Sequence, residues 1–359
     1  MDTNFKGLKP AFIDNYTAIA MSSSDEYLPY LSVCLQSLVD NASDKHNYDI
    51  VIFSSTEMSY RKKIFLETYT AKNISIRFYN PRKFLQNVKM EVTHNNFHEV
   101  CYYRLAAPIV FRQYKKLIFT DIDLIFNCDL KMLSDINLGN STIAACVEPI
   151  WKYFKDNNLP LNGGISIEDY SKNVLKLKEI EKYYNTGVTV INVEKFNSNN
   201  CFEKLQDAIN AHSFIFQEQC ALNYVFQEDI YQLDGQWNVE TFLNMKNIYD
   251  KDKTKIIHYP GLEKPWFYPE MELANIWWSY ARKTPFYEEI MKRMTISGIA
   301  LPPPPKNIVK SAITPFIGNT KSYKTLLREK QSKDILRKNI FTNKRYKTNK
   351  TATIYLYPS

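Results

Sequence analysis

Strand-like and helix-like segments alternate along the first third of this 359-residue chain, and this order limits the possible folds more than any other feature. Runs rich in β-branched and aromatic residues at 16–21, 49–53, 74–78 and 116–120 favour strands. Between them, segments 27–39, 57–70 and 99–114 have apolar residues at helical spacing. A β-α-β-α order predicts an α/β fold, with a mostly parallel mixed sheet flanked by helices.

The rest of the chain continues this pattern and then changes character. Further strands are predicted at 143–147, 187–192 and 256–258, and further helices at 196–211 and 219–226. We expect a main domain over residues 1–275, a helical connector over 276–301 and a separate tail over 302–359. With 45% hydrophobic residues, the chain has enough apolar side chains for a sizeable core.

The basic charge of the chain is concentrated in the tail. Residues 302–359 carry thirteen basic and two acidic side chains, a net charge of +11, which leaves −3 for residues 1–301. Four prolines at 302–305 predict an extended spacer, and the apolar-basic segments 323–328 and 335–341 can form basic amphipathic helices. We therefore expect this tail to contact an anionic membrane surface, with a solvated tail as the alternative. Nucleic acid is not expected as a partner, because the main domain has no matching basic surplus.

Several classes of protein are excluded by what the sequence lacks. It contains neither a G-x-G-x-x-G nor a G-x-x-x-x-G-K-[ST] motif, which argues against the common dinucleotide and P-loop sites. Its six cysteines are all at least 18 residues apart, so neither a zinc ribbon nor a disulfide framework is expected. No long apolar run or secretory signal is visible, and we expect a cytoplasmic protein, peripheral on the inner face of the cell membrane if the tail binds lipid.

Asp121 and Asp123 are the sharpest chemical feature of the sequence. They follow the predicted strand 116–120 and precede another apolar run, 124–126. In extended backbone, residues i and i+2 point to the same side, so the two carboxylates would converge. Converging carboxylates repel each other unless a cation lies between them, and oxygen ligands suit Mg²⁺ or Mn²⁺. A simple turn or cap is the alternative interpretation of this motif.

His258 makes the metal interpretation stronger. It ends the predicted strand 256–258 and opens a loop that contains Gly261 and Lys264. An imidazole added to two carboxylates favours Mn²⁺ over Mg²⁺, although Mg²⁺ stays open. Gly261 permits close approach of the backbone to a ligand, and Lys264 provides a point charge suited to phosphate.

With these residues in place, the chain resembles the family 8 glycosyltransferases, retaining enzymes of the GT-A fold that use a nucleotide-sugar. This family includes bacterial lipopolysaccharide galactosyl- and glucosyltransferases and glycogenin. The resemblance covers about residues 17–266 and implies that the main domain is a GT-A catalytic domain. Five blocks match in order: Tyr103-Arg104-Leu105, Asp121-Ile122-Asp123, Tyr184-Asn185-Thr186-Gly187-Val188, Glu218-Gln219 with Leu222-Asn223, and His258-x-x-Gly261-x-x-Lys264-Pro265-Trp266.

The resemblance also implies roles for particular residues. Asp121, Asp123 and His258 would hold Mn²⁺ against the diphosphate of the donor, and Gly261 and Lys264 would contact that diphosphate. Arg104, Asp121 and Asn185 would reach the donor sugar. Gln219 would lie under the anomeric carbon, with Glu218 beside it. The segment Trp237-Asn238 has a structural role in this interpretation.

Two segments depart from the family pattern. After the first strand the family has an Asp-Asp-Asn-Tyr-like run that contacts uridine and ribose, whereas this chain has Ser24-Asp25-Glu26-Tyr27. Asp25 is the candidate donor-binding residue there, and uridine is the expected base. The family's Asp-Gln-Asp is here Glu218-Gln219-Cys220, so the accepted sugar stays open.

The implied reaction is transfer of a hexose from a UDP-sugar to a glycan acceptor, such as lipopolysaccharide or another surface polysaccharide. Because Gln219 is a weak nucleophile, retention is expected to arise from front-face substitution, in which the departing diphosphate takes the proton of the acceptor. The alternatives are a nucleotidyltransferase on a related fold and a non-catalytic relative that binds glycan or lipid. The first of these would have a glycine-rich loop where this chain has Ser22-Ser23-Ser24.

Overall fold

The computed structural model of the protein describes residues 5–90, 99–241, 249–261 and 263–300. The predicted basic tail, 302–359, and its membrane contact lie outside the described residues. In the described part of the chain, no helix combines the length and the apolar character that crossing a lipid bilayer requires.

The described chain forms a mixed α/β structure whose elements follow the predicted order. The strands are β1 (Tyr16–Ser22), β2 (Asn47–Phe53), β3 (Ile74–Tyr79), β4 (Lys116–Thr120), β5 (Leu124–Phe126), β6 (Ile143–Val147), β7 (Tyr184–Asn192), β8 (Ile230–Gln232), β9 (Val239–Glu240) and β10 (Ile256–His258). The helices are α1 (Leu28–Asn41), α2 (Tyr60–Tyr69), α3 (Tyr103–Val110), α4 (Lys131–Ser134), α5 (Pro149–Asp156), α6 (Ile167–Asp169), α7 (Val193–Ser198), α8 (Cys201–Ala211), α9 (Gln217–Phe226), α10 (Ala274–Ala281) and α11 (Tyr287–Ala300).

A seven-stranded sheet forms the centre, in the order β3-β2-β1-β4-β7-β6-β8. The first four strands are parallel, β7 is antiparallel to both of its neighbours, and β8 is parallel to β6. The predicted mixed, mostly parallel sheet is therefore confirmed. At one edge, the carboxyl ends of β1, β4 and β6 meet the amino end of β7. Ligands of open α/β sheets bind at such carboxyl ends.

A small second sheet, β5-β10-β9, lies beside this edge. In the antiparallel ladder between β5 and β10, His258 is the partner of Leu124, the residue that follows Asp123. The backbone N–H of Tyr259 donates to the carbonyl of Asp123 at 3.0 Å. This pairing brings the loop that begins at His258 next to a motif more than 130 residues earlier in the chain.

Two apolar cores lie on opposite faces of the central sheet, as period-2 alternation in the strands requires. In β1, Ala18 and Ala20 face one core, and Ile19 and Met21 face the other. Helices α3, α5, α7, α8 and α9 cover the first face, and α1, α2, α10 and α11 cover the second.

Two predicted helices end or break earlier than the apolar pattern suggested. The helix predicted over 196–211 is two helices, because Asn200 adopts a left-handed conformation with φ of 50°. Asparagine tolerates this region better than most residues. The helix predicted over 99–114 is a 3₁₀ turn over Glu99–Tyr102 followed by α3, which ends at Val110. Apolar spacing alone does not reveal such breaks.

The two carboxyl-terminal helices pack against the main domain. Trp277 in α10 and Ile290 in α11 are fully buried in the same core as Leu31 and Leu35 of α1. The predicted division at residue 275 falls inside α10, one residue after its start at Ala274. The division into a catalytic domain and a helical connector stays a prediction.

A buried ionic cluster fixes the segment that leads into β1. The carboxylate of Asp49, in the interior of β2, is completely buried and accepts hydrogen bonds from Arg77 at 2.7 Å and from the Tyr114 hydroxyl at 2.6 Å. It also accepts from the backbone N–H of Ala11 at 2.8 Å. Burying this charge is tolerable because three donors surround it.

We expect Asp49→Ala to lower the free energy of unfolding by about 3 kcal/mol, since the change leaves the buried hydroxyl of Tyr114 and the partly buried guanidinium of Arg77 without their acceptor. Urea denaturation measures this loss. Lys152→Ala, which breaks an exposed ion pair with Asp156, is the matched control and should cost less than about 0.5 kcal/mol. A loss below about 1 kcal/mol for Asp49→Ala would show that the cluster does not anchor the segment.

Candidate active site

Asp121 and Asp123 follow β4 at the carboxyl edge of the central sheet. The backbone N–H of Asp121 donates to the carbonyl of Gly187 at 2.8 Å, which ties the motif to β7. The side chain of Asp123 is 8% exposed and that of Asp121 is 33% exposed. Asp123 therefore lies inside the protein, and Asp121 is partly exposed to solvent.

His258 completes a group of three ligand atoms that lie within 4.8 Å of one another. Its Nε2 is 3.3 Å from Oδ1 of Asp123 and 3.9 Å from Oδ2 of Asp121. The three residues that the sequence predicts as metal ligands are thus brought together. Two hydrogen-bonded sheets, rather than proximity in the chain, produce this arrangement.

The imidazole of His258 is oriented by a chain of amide side chains. Asn185 donates to Oε2 of Glu148 at 2.8 Å, so its Oδ1 faces the opposite way and accepts from Nδ2 of Asn238 at 3.0 Å. The Oδ1 of Asn238 then lies 2.9 Å from Nδ1 of His258 and accepts its proton. A carboxylate at the far end of this chain therefore places the lone pair of the imidazole on Nε2.

This tautomer makes the site fit a divalent cation. With the proton on Nδ1, three electron-rich atoms of Asp121, Asp123 and His258 face one another, and nothing but a cation or a proton relieves their repulsion. Carboxylate oxygens with an imidazole nitrogen suit Mn²⁺, and a hydrogen bond from the second ring nitrogen is the usual support of a metal-binding histidine.

Two basic side chains bind the outer oxygens of the aspartates. Arg104 donates to Oδ1 of Asp121, and Lys264 donates to Oδ2 of Asp123 and, at 2.9 Å, to the carbonyl of Tyr259. Each aspartate consequently has its other oxygen turned toward His258. Burial alone would raise the pKa of Asp123, but the charge of Lys264 holds it well below its usual range.

Arg104 connects four elements around the predicted sugar end of the site. Besides Asp121, its guanidinium donates to the carbonyl of Thr186 at 2.5 Å and lies 3.5 Å from Oε1 of Glu218. Burial raises the pKa of Glu218, and the charge of Arg104 opposes that rise. This one buried arginine links helices α3 and α9 to the ends of β4 and β7.

Gln219, in the first turn of α9, has both ends of its amide engaged. Its Oε1 accepts from the backbone N–H of Thr186 at 3.0 Å, and its Nε2 donates to Oε2 of Glu148 at 3.3 Å. Glu148 therefore holds Gln219 and Asn185 together, the two residues expected near the donor sugar.

Sequence reasoning missed Glu148 and Glu240. Glu148 comes directly after β6, just as Asp121 comes directly after β4, and that position was the available signal. Glu240 is fully buried, and its Oε1 accepts from Asn238 at 3.4 Å. Burial and the neighbouring carboxylate of Glu148 raise the pKa of Glu240 well above its usual value. Glu240 lies in β9, and this strand of two residues is too short to show the alternation of apolar residues from which a strand is predicted.

The remaining predicted residues lie around the cluster rather than in it. Asp25 is in the turn after β1, and its carboxylate is bound by Ser59 and, at 3.3 Å, by Arg61. Gly261 has a φ of 76°, with no atom within 4 Å of the position a Cβ would take. Gly187 is different, because a Cβ there would lie 2.5 Å from Cε1 of His258.

The sequence of this chain is similar to one family model and to two bacterial proteins. The sequence model of Glycosyl transferase family 8 matches residues 18–270. General stress protein A of Bacillus subtilis is 24% identical over 276 residues, covering 70% of this chain and 88% of that protein. A putative glycosyltransferase of Haemophilus influenzae is 26% identical over 262 residues, covering 69% of this chain and 72% of that protein.

Solved structures show the same fold. The apo structure of the bifunctional glycosyltransferase WbbM superposes with a TM-score of 0.73 and 26% identity over 80% of this chain, which spans only 53% of the WbbM chain. The galactosyltransferase LgtC, solved with donor and acceptor sugar analogues, gives a TM-score of 0.61 at 18% identity, covering 75% of this chain and 96% of that chain. These likenesses confirm the predicted GT-A fold.

The close approach of Gly187 to His258 generates a prediction about metal affinity. Gly187→Ala should displace the imidazole and weaken Mn²⁺ binding by about 10- to 100-fold, the usual effect of disturbing the support of a metal ligand. Calorimetric titration with Mn²⁺ measures this change. Gly235→Ala is the matched control, because no atom lies within 4 Å of its added methyl group. Unchanged Mn²⁺ affinity in Gly187→Ala would contradict the assignment of His258.

Glu263, between Gly261 and Lys264, generates a prediction about pH. Its side chain is buried, neither carboxylate oxygen has a hydrogen-bond partner in the described structure, and burial raises its pKa from 4.5 to about 7. The folded protein thus holds this proton more tightly than the unfolded chain. The stabilisation from this proton is fully present below pH 4.5 and is lost as the pH rises to about 7. Over that range the free energy of unfolding falls by about 3 kcal/mol.

Glu263→Gln removes that loss, so the variant should be more stable than the wild type at pH 8 and no more stable at pH 4.5. Urea denaturation at both values measures the difference, with the exposed Glu57→Gln as the control. Equal stability of Glu263→Gln and wild type at pH 8 would show that the carboxyl is not buried without a partner.

Proposed function

The chain belongs to glycosyl transferase family 8, and from that premise we propose that it moves a hexose from a UDP-sugar to a glycan acceptor, with retention of the anomeric configuration. The observation that carries the proposal is the convergence of Asp121, Asp123 and His258 at the ligand-binding edge of the sheet. The acceptor we propose is lipopolysaccharide or another surface polysaccharide. The basic segment 302–359 would bring this activity to an anionic membrane on the cytoplasmic side.

Asp121, Asp123 and His258 would hold a Mn²⁺ ion, and their donor set fits it. When bound, the ion would supply Lewis-acid assistance to the departing diphosphate. Arg104 and Lys264 would keep the two carboxylates turned toward the imidazole whether or not the donor is present. Asn238 would keep the lone pair of His258 on Nε2.

Lys264 would add a second positive charge at the diphosphate. An ammonium group has three N–H donors, and two of them are used by Asp123 and the carbonyl of Tyr259. The third would be free to donate to a phosphate oxygen as negative charge develops on the leaving group. Such preorganised charge stabilises a transition state more than the ground state.

The sheet order suggests how the donor would lie. Asn185 is in β7, and Gln219 and Arg104 both hydrogen-bond the backbone of Thr186 in the same strand, whereas the turn that contains Asp25 follows β1. With the diphosphate at the aspartates, the sugar would extend toward β7 and the nucleoside toward β1. Glu148 would fix the amide groups of Asn185 and Gln219 for contacts with the sugar.

Retention would arise by front-face substitution. The amide of Gln219 is hydrogen-bonded at both ends and is a poor nucleophile, and the carboxylate of Glu218 is buried beside Arg104. The acceptor hydroxyl would therefore attack from the side that the diphosphate leaves. Its proton would pass to an oxygen of the departing diphosphate as the C–O bond breaks through an oxocarbenium-like state.

The proposed transfer is tested by measuring the rate at which a nucleoside diphosphate is released from each of a panel of nucleotide-sugars. The assay contains Mn²⁺ and is run with and without glycan acceptors. We expect Asp123→Asn to raise the activation free energy by several kcal/mol. Because each 1.36 kcal/mol is a tenfold change in rate, turnover should fall by about 10³-fold or more. EDTA should abolish turnover and added Mn²⁺ should restore it. Asp135→Asn, at an exposed aspartate, is the control and should keep full activity.

Thermal melting of each variant separates lost catalysis from lost folding, and the more exposed Asp121→Asn gives a second reading of the same site. Undiminished turnover in EDTA, or in correctly folded Asp123→Asn, would overturn the metal-assisted transfer. Release of pyrophosphate instead of a nucleoside diphosphate would indicate a nucleotidyltransferase.

A further inference from the structure

Helix α11 contacts the turn between β1 and α1, although it begins more than 250 residues later in the chain. Arg293 donates to the carbonyl of Glu26 at 2.5 Å, and its second terminal nitrogen lies 2.5 Å from Oε1 of Glu289, one helical turn away. The turn is thereby fixed to the carboxyl-terminal helix through its backbone, which a change of side chain at residue 26 would not alter.

A second link runs through helix α2. Glu289 accepts two hydrogen bonds from Arg61, one from Nε at 3.2 Å and one from a terminal nitrogen at 2.7 Å. The other terminal nitrogen of Arg61 lies 3.3 Å from Oδ2 of Asp25. The hydroxyl of Ser59, the residue that caps α2, donates to Oδ1 of the same carboxylate. Glu289 therefore holds the turn at two points, through Arg61 and through Arg293.

An aromatic stack runs from the same arginine toward the Lys264 loop. The guanidinium carbon of Arg293 lies 5.6 Å from the ring centre of Tyr30. Tyr30 is stacked on Trp266, with ring centres 4.3 Å apart and planes 14° apart. Trp266 lies two residues after Lys264, whose ammonium is 5.8 Å from the tryptophan ring. The loop that carries Lys264 thus packs through the rings of Trp266 and Tyr30, and this stacking does not include Glu289.

The two arginines keep the carboxyl group of Glu289 ionised. Burial would raise its pKa, but the hydrogen bonds from Arg61 and the charge of Arg293 bring it below the ordinary value. The side chains of Arg61, Glu289 and Arg293 are 25–33% exposed, so the network adds little to global stability. Its effect is local, because a bidentate arginine pair sets the direction of the groups that it joins.

We propose that Glu289 is a positioning residue for the nucleoside half of the donor, acting through Arg61 and Arg293 on the turn at residues 23–27. This inference rests on the proposed function, and it extends the donor site to a helix outside the matched family region, which ends at residue 270. The turn follows β1, the parallel neighbour of β4, so it lies beside the aspartates but not in their cluster. Loss of Glu289 would therefore loosen the nucleoside end of the site and leave the diphosphate end intact.

The experiment compares two probes on the full chain, uridine diphosphate with Mn²⁺ and inorganic pyrophosphate with Mn²⁺, by calorimetric titration. Glu289→Gln should weaken binding of uridine diphosphate by roughly three- to tenfold and change binding of pyrophosphate by less than about twofold. In turnover assays the same variant should raise KM for the donor and leave kcat within about twofold. A merely structural role would affect both probes equally.

Lys283→Gln is the matched control. It also breaks an ion pair between the carboxyl-terminal segment and α1, with Asp40 at 2.6 Å. Asp40 lies twelve residues beyond the start of α1, about 18 Å along the helix from the turn. The control should leave the affinity for both probes unchanged.

Unchanged uridine diphosphate affinity in Glu289→Gln, or equal losses for the two probes, would overturn the inference while hexose transfer by the wild type stands. A wild-type protein that binds neither probe and turns over no nucleotide-sugar would overturn the proposed function as well. The two failures are thus distinguished by the behaviour of the wild type alone.

Discussion

The antiparallel pairing of β5 with β10 is the contact on which the rest of the site depends. It sets His258 opposite Leu124 and so beside Asp123, which brings an imidazole from late in the chain to a pair of carboxylates at the end of β4. A shift of one residue in this register would turn the imidazole to the other face of the small sheet. The same ladder also places the loop that carries Lys264 beside the cluster, where its ammonium group donates to Asp123.

The directions of the hydrogen bonds around this cluster determine which of its atoms have a lone pair available for a cation. Glu148 can only accept when ionised, so the amides of Asn185 and Asn238 must both point one way, and His258 must hold its proton on Nδ1. Arg104 and Lys264 bind the outer oxygens of the aspartates and leave the inner ones facing the imidazole. Such a buried arrangement of charges is costly unless every group has a partner, and a bound cation would supply a partner for the inner atoms.

The amino-acid sequence predicted those parts of the protein that local pattern encodes. Alternation of apolar segments predicted the strands of the parallel half of the sheet, and the motif at Asp121 and Asp123 predicted the edge at which the site lies. The antiparallel direction of β7 has no local signal, because it depends on the path of the chain between β6 and β7. Glu240 could not be assigned to the site for the same reason, because its contacts join strands that are distant in sequence. The position of Glu148 directly after β6 was a signal, but its contacts with Asn185 and Gln219 depend on the same chain path. The engagement of Asp25 by Arg61 depends on α2 and α11, which lie far from it in the chain.

Anomalous scattering at the manganese absorption edge, from crystals grown with Mn²⁺ and uridine diphosphate, would locate an ion bound at this site. We expect one strong peak among Asp121, Asp123 and His258, with Nε2 and one oxygen of each carboxylate at roughly 2.0–2.3 Å from it. A peak elsewhere, or an imidazole that turns Nδ1 instead of Nε2 toward the ion, would contradict it.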